Sequence, residues 1–275
     1  MDRIYHVSFP GFGLEFEISP VAVTIGTFSV YWYGIIIAAA FLLGVFYCTR
    51  ESKNHGVDGD KLMNCLIAGI VTAVIGARIY YVAFSWDSFR GDLKSIINIH
   101  GGGLAIYGGI IGALVGGLAA AKIQKMEILP LLDVVFPGFL LGQGIGRWGN
   151  FMNQEAFGTQ TDVPWRMVSE NTGGVGVHPC FLYESLWCLI GFAIVVFYLS
   201  KRQEFTGQLL YFYMIWYGFE RMLVEGLRSD SLYLSFGHLR VSQLVSAVLF
   251  VSGIMLFAVN FAKYKKNEGK AKHAK

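Results

Sequence analysis

The chain has 275 residues, of which 54% are hydrophobic and only 15% charged, with a formal net charge of +3. A soluble domain of this size carries about 25% charge, so the composition excludes an ordinary soluble fold. It equally excludes a disordered chain and a nucleic-acid-binding module, and leaves an integral membrane protein.

A bilayer core of about 30 Å needs roughly 20 mainly apolar residues per helix. Seven such runs follow one another, at about 27–48, 62–84, 104–121, 129–147, 181–199, 208–224 and 239–261. The fold class expected is therefore an all-α polytopic membrane protein of seven transmembrane helices. Residues 1–261 are expected to form a single transmembrane domain, followed by a basic cytoplasmic tail at 262–275. Residues 1–26 have no short basic lead and no small-residue cleavage site follows the first run, so that run is expected to stay in the mature protein. One set of loops (49–61, 122–128, 200–207 and 262–275) holds thirteen Lys and Arg, six of them tail lysines, while the opposite set holds six. The positive-inside rule then puts the C-terminus in the cytoplasm and the N-terminus outside.

Cys48 and Cys65 fall near cytoplasmic helix ends. Cys180 and Cys188 stand roughly 12 Å apart along a helix, beyond disulfide reach, so all four read as small apolar fillers. Gly108, Gly112 and Gly116 share one face of the third run, and Gly138, Gly142 and Gly146 one face of the fourth, the small-xxx-small pattern of closely packed helices.

Ionisable groups inside spans are costly and mark function by default. They are Arg78, Asp133, Arg147, Glu184, Glu220 and Arg221. With the orientation above, all but Asp133 fall toward the outer face, where Tyr31, Tyr33, Tyr107, His178 and Tyr183 also lie. Arginines on three different helices would repel one another unless an anion or carboxylates sat among them. In the sixth run Tyr217, Arg221, Glu225 and Arg228 form one helical stripe, in which Arg221 can pair with Glu225 and Glu225 with Arg228. Arginine is the residue for planar, bidentate recognition of phosphate. No lysine lies in any span, which excludes a retinal Schiff base. His100-Gly101-Gly102-Gly103 reads as an irregular turn at the outer mouth, and no GKS or GKT follows it.

The densest set of hydrogen-bonding groups is Gly146-Arg147-Trp148-Gly149-Asn150-Phe151-Met152-Asn153-Gln154-Glu155-Ala156-Phe157-Gly158, at the outer end of the fourth run. It resembles the signature GRxGNFxNxExxG of the prolipoprotein diacylglyceryl transferases at each fixed position. The resemblance extends to Tyr31 to Gly34, Gly102 to Gly109, His178-Pro179 with Tyr183-Glu184, and Tyr217-Gly218 with Arg221, Glu225 and Arg228. It implies a multi-pass enzyme of the bacterial plasma membrane with its active site toward the outer face. Such an enzyme moves the diacylglyceryl group of phosphatidylglycerol to the lipobox cysteine of a prolipoprotein, forming a thioether and releasing glycerol phosphate. Its partners would be phosphatidylglycerol, prolipoprotein lipobox peptides and membrane lipids, with no nucleic acid, no cofactor and no metal.

By position, Arg147, Arg221, Tyr107 and Glu155 are the expected catalytic residues. Arg147, Asn150, Asn153, Tyr33, Tyr217, Gly158, His178, Glu225 and Arg228 are expected to bind substrate. Some members carry a histidine, proposed as the base, where this chain has Tyr107, so a histidine there is not essential to the chemistry here. Tyr107, Glu155 and His178 stand equal as acceptors of the thiol proton. A transporter or flippase of an anionic lipid or metabolite is the alternative, but its site would sit near the midplane between related halves, and no internal repeat is present.

Overall fold

The computed structural model describes residues 4–98, 102–233 and 239–273. In chain order these form β1 (Tyr5–Phe9), β2 (Leu14–Ile18), β3 (Val21–Ile25), β4 (Phe28–Tyr31), α1 (Trp32–Glu51), α2 (Gly59–Phe84), α3 (Leu93–Ile97), α4 (Ile106–Ile123), α5 (Ile128–Asn153), α6 (Cys180–Ile194), α7 (Gln208–Leu227) and α8 (Val241–His273). Among the described residues six helices are long and apolar enough to cross a membrane: Trp32–His55, Gly59–Phe84, Ile106–Ile123, Ile128–Asn153, Cys180–Arg202 and Val241–Lys270. Large apolar side chains stand open on their flanks, among them Phe46, Ile79 and Val115, which is the surface a helix shows to lipid rather than to water. The molecule is thus a mostly helical, multi-pass membrane protein. α7 occupies the sixth expected run but carries Glu220, Arg221 and Glu225, and it is not among the six.

Several boundaries differ from those expected. The helices are preceded by two antiparallel hairpins between Tyr5 and Tyr31, β1 with β2 and β3 with β4. The first helix begins at Trp32 rather than near 27, since Val21-Ala-Val-Thr-Ile and Phe28-Ser-Val-Tyr alternate with strand period about a turn at Gly26, whose φ is +62°. α5 runs six residues past its expected end, so that Arg147, Asn150 and Asn153 all lie on helix. α8 continues through the basic tail to His273. Of the turn expected at 100–103, His100 and Gly101 lie outside the described residues. All four cysteines are buried and free.

Two compact units are present, Met1–Cys48 with Asp133–Lys275, and Thr49–Leu132. In the second, α2 and α4 pack through the glycine face seen in the sequence: a Cβ on Gly112 would lie 2.1 Å from the Thr72 carbonyl oxygen, so only glycine permits this approach. Arg78 sits here and does not join an anion cluster as expected. Its Nε donates to the Ile96 carbonyl at 2.8 Å, Nη2 to Ser95 at 2.6 Å, and Nη1 to Gly102 at 3.0 Å and Gly103 at 2.9 Å. With its guanidinium over Phe89, it clamps α3 and the Gly102–Gly103 carbonyls to α2. Tyr107 lies half-buried in the first turn of α4 in this unit.

In the first unit, Gly138 of α5 meets Cys48 and Gly44 of α1. α6 and α7 are joined by stacked Trp187 and Trp216, each indole N–H donating to the other's carbonyl at 2.9 Å. The buried face of β1 (Tyr5, Val7 and Phe9) packs with Phe151 at the end of α5, Phe181 at the start of α6, and Met167 and Val177 between them. That satellite core fixes the helix ends on which the signature stands.

Asp133, the one deep acid, is fully buried and explained by the start of α7. Its carboxylate accepts from the backbone N–H of Gly207 (2.5 Å), Leu209 (3.0 Å) and Leu210 (2.9 Å) and from Gln203 Nε2 (2.7 Å). It supplies the oxygen that a helix N-terminus otherwise lacks. Asp133→Ala leaves three buried donors unmet and is expected to destabilise the protein by about 2 kcal/mol or more. Thermal unfolding in detergent measures it; an unshifted midpoint would show that the cap is dispensable.

Candidate functional site

The candidate site is built by three helix ends of the first unit. Arg147 comes from the last turns of α5, Glu184 from the first turns of α6, and Glu220, Arg221 and Glu225 from the last turns of α7. Glu184, whose side chain is 1% exposed, is the centre. Its Oε2 accepts from Arg147 Nη2 and from Arg221 Nη1 at 2.9 Å, and its Oε1 from Arg228 Nη1 at 3.3 Å. Arg221 also donates from Nη2 to Glu225 Oε2 at 2.5 Å. The repulsion expected among clustered arginines is thus met by carboxylates in the protein itself.

The pairing expected between Glu225 and Arg228 is not formed. α7 stops at Leu227 and Arg228 is extended, with φ −68° and ψ 143°, which takes it off the helical stripe. It grips Asp230 instead in a two-pronged pair, Nε to Oδ1 at 2.9 Å and Nη2 to Oδ2 at 2.7 Å. Burial opposes the Asp230 charge, but the bond and charge of Arg228 outweigh it and hold the carboxyl below its ordinary value. Glu225 is fixed at its backbone too, where its carbonyl accepts from Arg240 Nη1.

The rest of the signature folds over the end of α5. Gln154 and Ala156 adopt φ of 50° and 58°, in the left-handed region. These two turns bring Glu155 back over the helix end, where its N–H donates to the Asn150 carbonyl at 3.1 Å. Glu155 Oε1 then accepts the side-chain amides of Asn150 (3.0 Å) and Asn153 (3.3 Å), and Asn150 Oδ1 faces Arg147 Nη1 at 3.4 Å. Arg147 is the most open arginine of the cluster, with its side chain 21% exposed. The Tyr33 ring lies over Gly149, where a Cβ would come within 2.9 Å of it. Tyr217, one turn before Arg221, stacks on Tyr213 with ring centroids 5.5 Å apart.

Gly158 closes the segment. Its N–H donates to the His178 carbonyl at 2.8 Å, and a Cβ there would lie 2.7 Å from the His178 Cβ. His178 Nδ1 stands 3.1 Å from the Tyr183 hydroxyl, which accepts Trp165 Nε1–H at 2.7 Å. Burial pushes the His178 ring below its ordinary value. Among the described residues no group of three His, Cys, Asp or Glu side chains could hold a metal ion.

The first unit therefore brings together Tyr33, Arg147, Asn150, Asn153, Glu155, Gly158, His178, Tyr217, Arg221, Glu225 and Arg228. The expected set lacked Glu184, although it is the only acid of its span. It also lacked Asp230, whose place two residues after Arg228 at a helix end was a usable signal.

A multi-pass helical membrane protein that gathers three arginines on one buried carboxylate, beside an amide-rich helix end, is the class that fold and site define. Within that class, the model of the prolipoprotein diacylglyceryl transferase family matches residues 20–259, and the chain belongs to this family. It is 44% identical over 246 residues to a phosphatidylglycerol–prolipoprotein diacylglyceryl transferase of Finegoldia magna, covering 90% of this chain and 96% of that protein. Proteins of the same name from Bacillus cereus (42% over 252 residues, 88% and 92%) and Bacillus mycoides (40% over 264 residues, 93% and 95%) are similar over comparable lengths.

Removing the central charge exposes what it holds. Glu184→Gln leaves Arg147, Arg221 and Arg228 without their shared carboxylate and is expected to destabilise the protein by about 3–5 kcal/mol. A thermal melt of the purified variant within 1 °C or so of the wild type would show that the cluster does not depend on Glu184.

Proposed function

We propose that this chain transfers the diacylglyceryl group of phosphatidylglycerol to the thiol of the lipobox cysteine of prolipoproteins, the first step of bacterial lipoprotein maturation. The observation that carries the reading is Arg147 and Arg221 meeting on one carboxylate oxygen beside the Asn150–Asn153–Glu155 knot. The names of the relatives agree with it. The sulfur attacks the glyceryl methylene carbon, that C–O bond breaks with its electron pair passing to the phosphate oxygen, and glycerol phosphate leaves as the thioether forms.

Each residue has a part. Arg147 and Arg221 hold the phosphate and stabilise the charge that grows on the leaving oxygen. Asn150, Asn153 and Glu155 with Tyr33 and Tyr217 position the lipid headgroup. Glu225 and Arg228 hold Arg221 and Glu184 in place, while Gly158 and His178 set the wall where the signature meets α6. For Tyr107, which lies in the second unit, a catalytic part rests on the resemblance of its segment alone. The reading requires no cofactor and no metal.

The finer topology is part of the same proposal. α7 crosses the bilayer as a seventh helix, its charged end lying in the site rather than in lipid. The N-terminus is outside and the basic tail at 262–275 cytoplasmic, so residues 1–261 form one catalytic domain. In α6 the cluster stands at the end opposite Lys201 and Arg202, which supports placing it toward the outer face of the plasma membrane, where the lipobox of an exported protein emerges.

Purified protein in mixed micelles of phosphatidylglycerol with a lipobox peptide is expected to add the mass of a diacylglyceryl group to the peptide's cysteine. Arg147→Ala and Arg221→Ala should each lower the rate by about a hundredfold or more. Peptide mass spectrometry measures both, and transfer at the wild-type rate by both variants would remove the two arginines from the chemistry.

A further inference from the structure

One buried charge in the cluster has no part in what has been described. Glu220, 4% exposed, precedes Arg221 on α7, and among the described residues neither of its carboxylate oxygens has a hydrogen-bond partner. A buried carboxyl with four free lone-pair positions is among the most costly groups a fold can hold, and in a membrane protein it needs a reason. The groups that act on it from around are Glu184 from α6, Arg147 from α5, Arg221 on its own helix and Arg228 just past its end. The Cys188 thiol of α6 also feels its charge. Glu220 thus lies within the electrostatic reach of both arginines proposed to hold the phosphate, yet is bonded to neither.

The other carboxylates of the cluster are occupied. Glu184 accepts three guanidiniums, Glu225 Oε2 accepts Arg221, Asp230 is gripped by Arg228 through both oxygens, and Glu155 Oε1 takes two amides. A carboxylate paired to guanidinium takes up a proton reluctantly, because the proton must displace the pair. His178 Nδ1 already faces the Tyr183 hydroxyl. Among the described residues, Glu220 is the carboxyl of the cluster at which neither oxygen is bonded.

Resting on the transferase reading above, we infer that Glu220 takes the proton of the prolipoprotein thiol, directly or through one water. The S–H proton passes to a Glu220 oxygen as the sulfur lone pair forms the S–C bond and the glyceryl C–O pair leaves with the phosphate. The proton then moves from Glu220 to the departing glycerol phosphate, which restores the carboxylate. Protons and charge balance without any further reactant.

The test is the pH dependence of kcat/KM for the lipobox peptide, at fixed phosphatidylglycerol in mixed micelles, for wild type, Glu220→Gln and Glu220→Asp. At pH 6.5 Glu220→Gln is expected to be about a hundredfold slower or worse. Its deficit should narrow several-fold per pH unit as the peptide thiol, with a pKa of about 8.5, ionises by itself. Glu220→Asp, which keeps the carboxylate, should recover at least tenfold over Gln at pH 6.5. A Gln variant within threefold of wild type, or Gln and Asp variants with equal deficits constant from pH 6 to 9, would overturn the assignment. The latter is what a purely structural role or a folding defect produces. Absence of transfer by the wild type itself would instead sink the transferase reading, so the two failures are distinguishable.

Discussion

Everything at this site depends on the carboxylate of Glu184. In a region without water an isolated carboxylate or guanidinium is prohibitively costly, and three guanidiniums together more so. Placing one acid between Arg147, Arg221 and Arg228 answers both costs at once and ties the end of α5, the start of α6 and the end of α7 to one point. Arg147 and Arg221 share a single oxygen of Glu184, which fixes how far apart their planar heads can stand. With Glu225 and Asp230 as second partners of Arg221 and Arg228, three arginines face three carboxylates. The set is close to neutral before Glu220 is considered.

The cluster can be held so closely because the helices beneath it have little freedom. Asp133 fixes the start of α7 from the far end of α5, and the reciprocal Trp187 and Trp216 bonds hold α6 to α7 midway. Ser185, next to Glu184, donates to the Gly144 carbonyl at 2.8 Å and accepts from Trp148 Nε1 at 3.1 Å, which ties α6 to α5 one turn below Arg147. Position in a catalytic site is worth most when it is set before the substrate arrives, and here Arg147, Glu184 and Arg221 leave helices that are tied to one another beneath them.

How much of this the sequence revealed follows from the range of each interaction. Long apolar runs report directly on lipid contact, and the glycine faces on close packing, so six helices and the closely packed faces of α4 and α5 were legible, though not the helices they pack against. The hairpins were not legible, because their strands are only four or five residues long and the last, Phe28–Tyr31, merges with the first apolar run. In the site, Arg147, Asn150 and Glu155 were legible because one continuous signature carries them. The partners of Arg78 were not legible, since a charge in a span looks alike whether it meets an anion or, as here, the carbonyls of Ser95, Ile96, Gly102 and Gly103. Arg228 was misplaced for a local reason, the end of α7 at Leu227, which no helical stripe reveals.

The pairing of the arginines with acids also bears on how an anion enters. A phosphate diester and a carboxylate offer a guanidinium much the same pair of acceptor oxygens, so a phosphate can replace one carboxylate oxygen without a change in the arginine's geometry. Arg147 is the natural entry point. Its side chain is the most open of the three, its bond to Asn150 at 3.4 Å is long, and Asn150 is itself held by Glu155, which lies exposed at the end of the signature. On the proposed function, Arg228 and Glu225 keep Glu184 and Arg221 in place while Arg147, the more open of the two arginines that hold the phosphate, is the first to turn to it. The division within the cluster is then between the groups that hold the carboxylate and the one arginine that can let go of it.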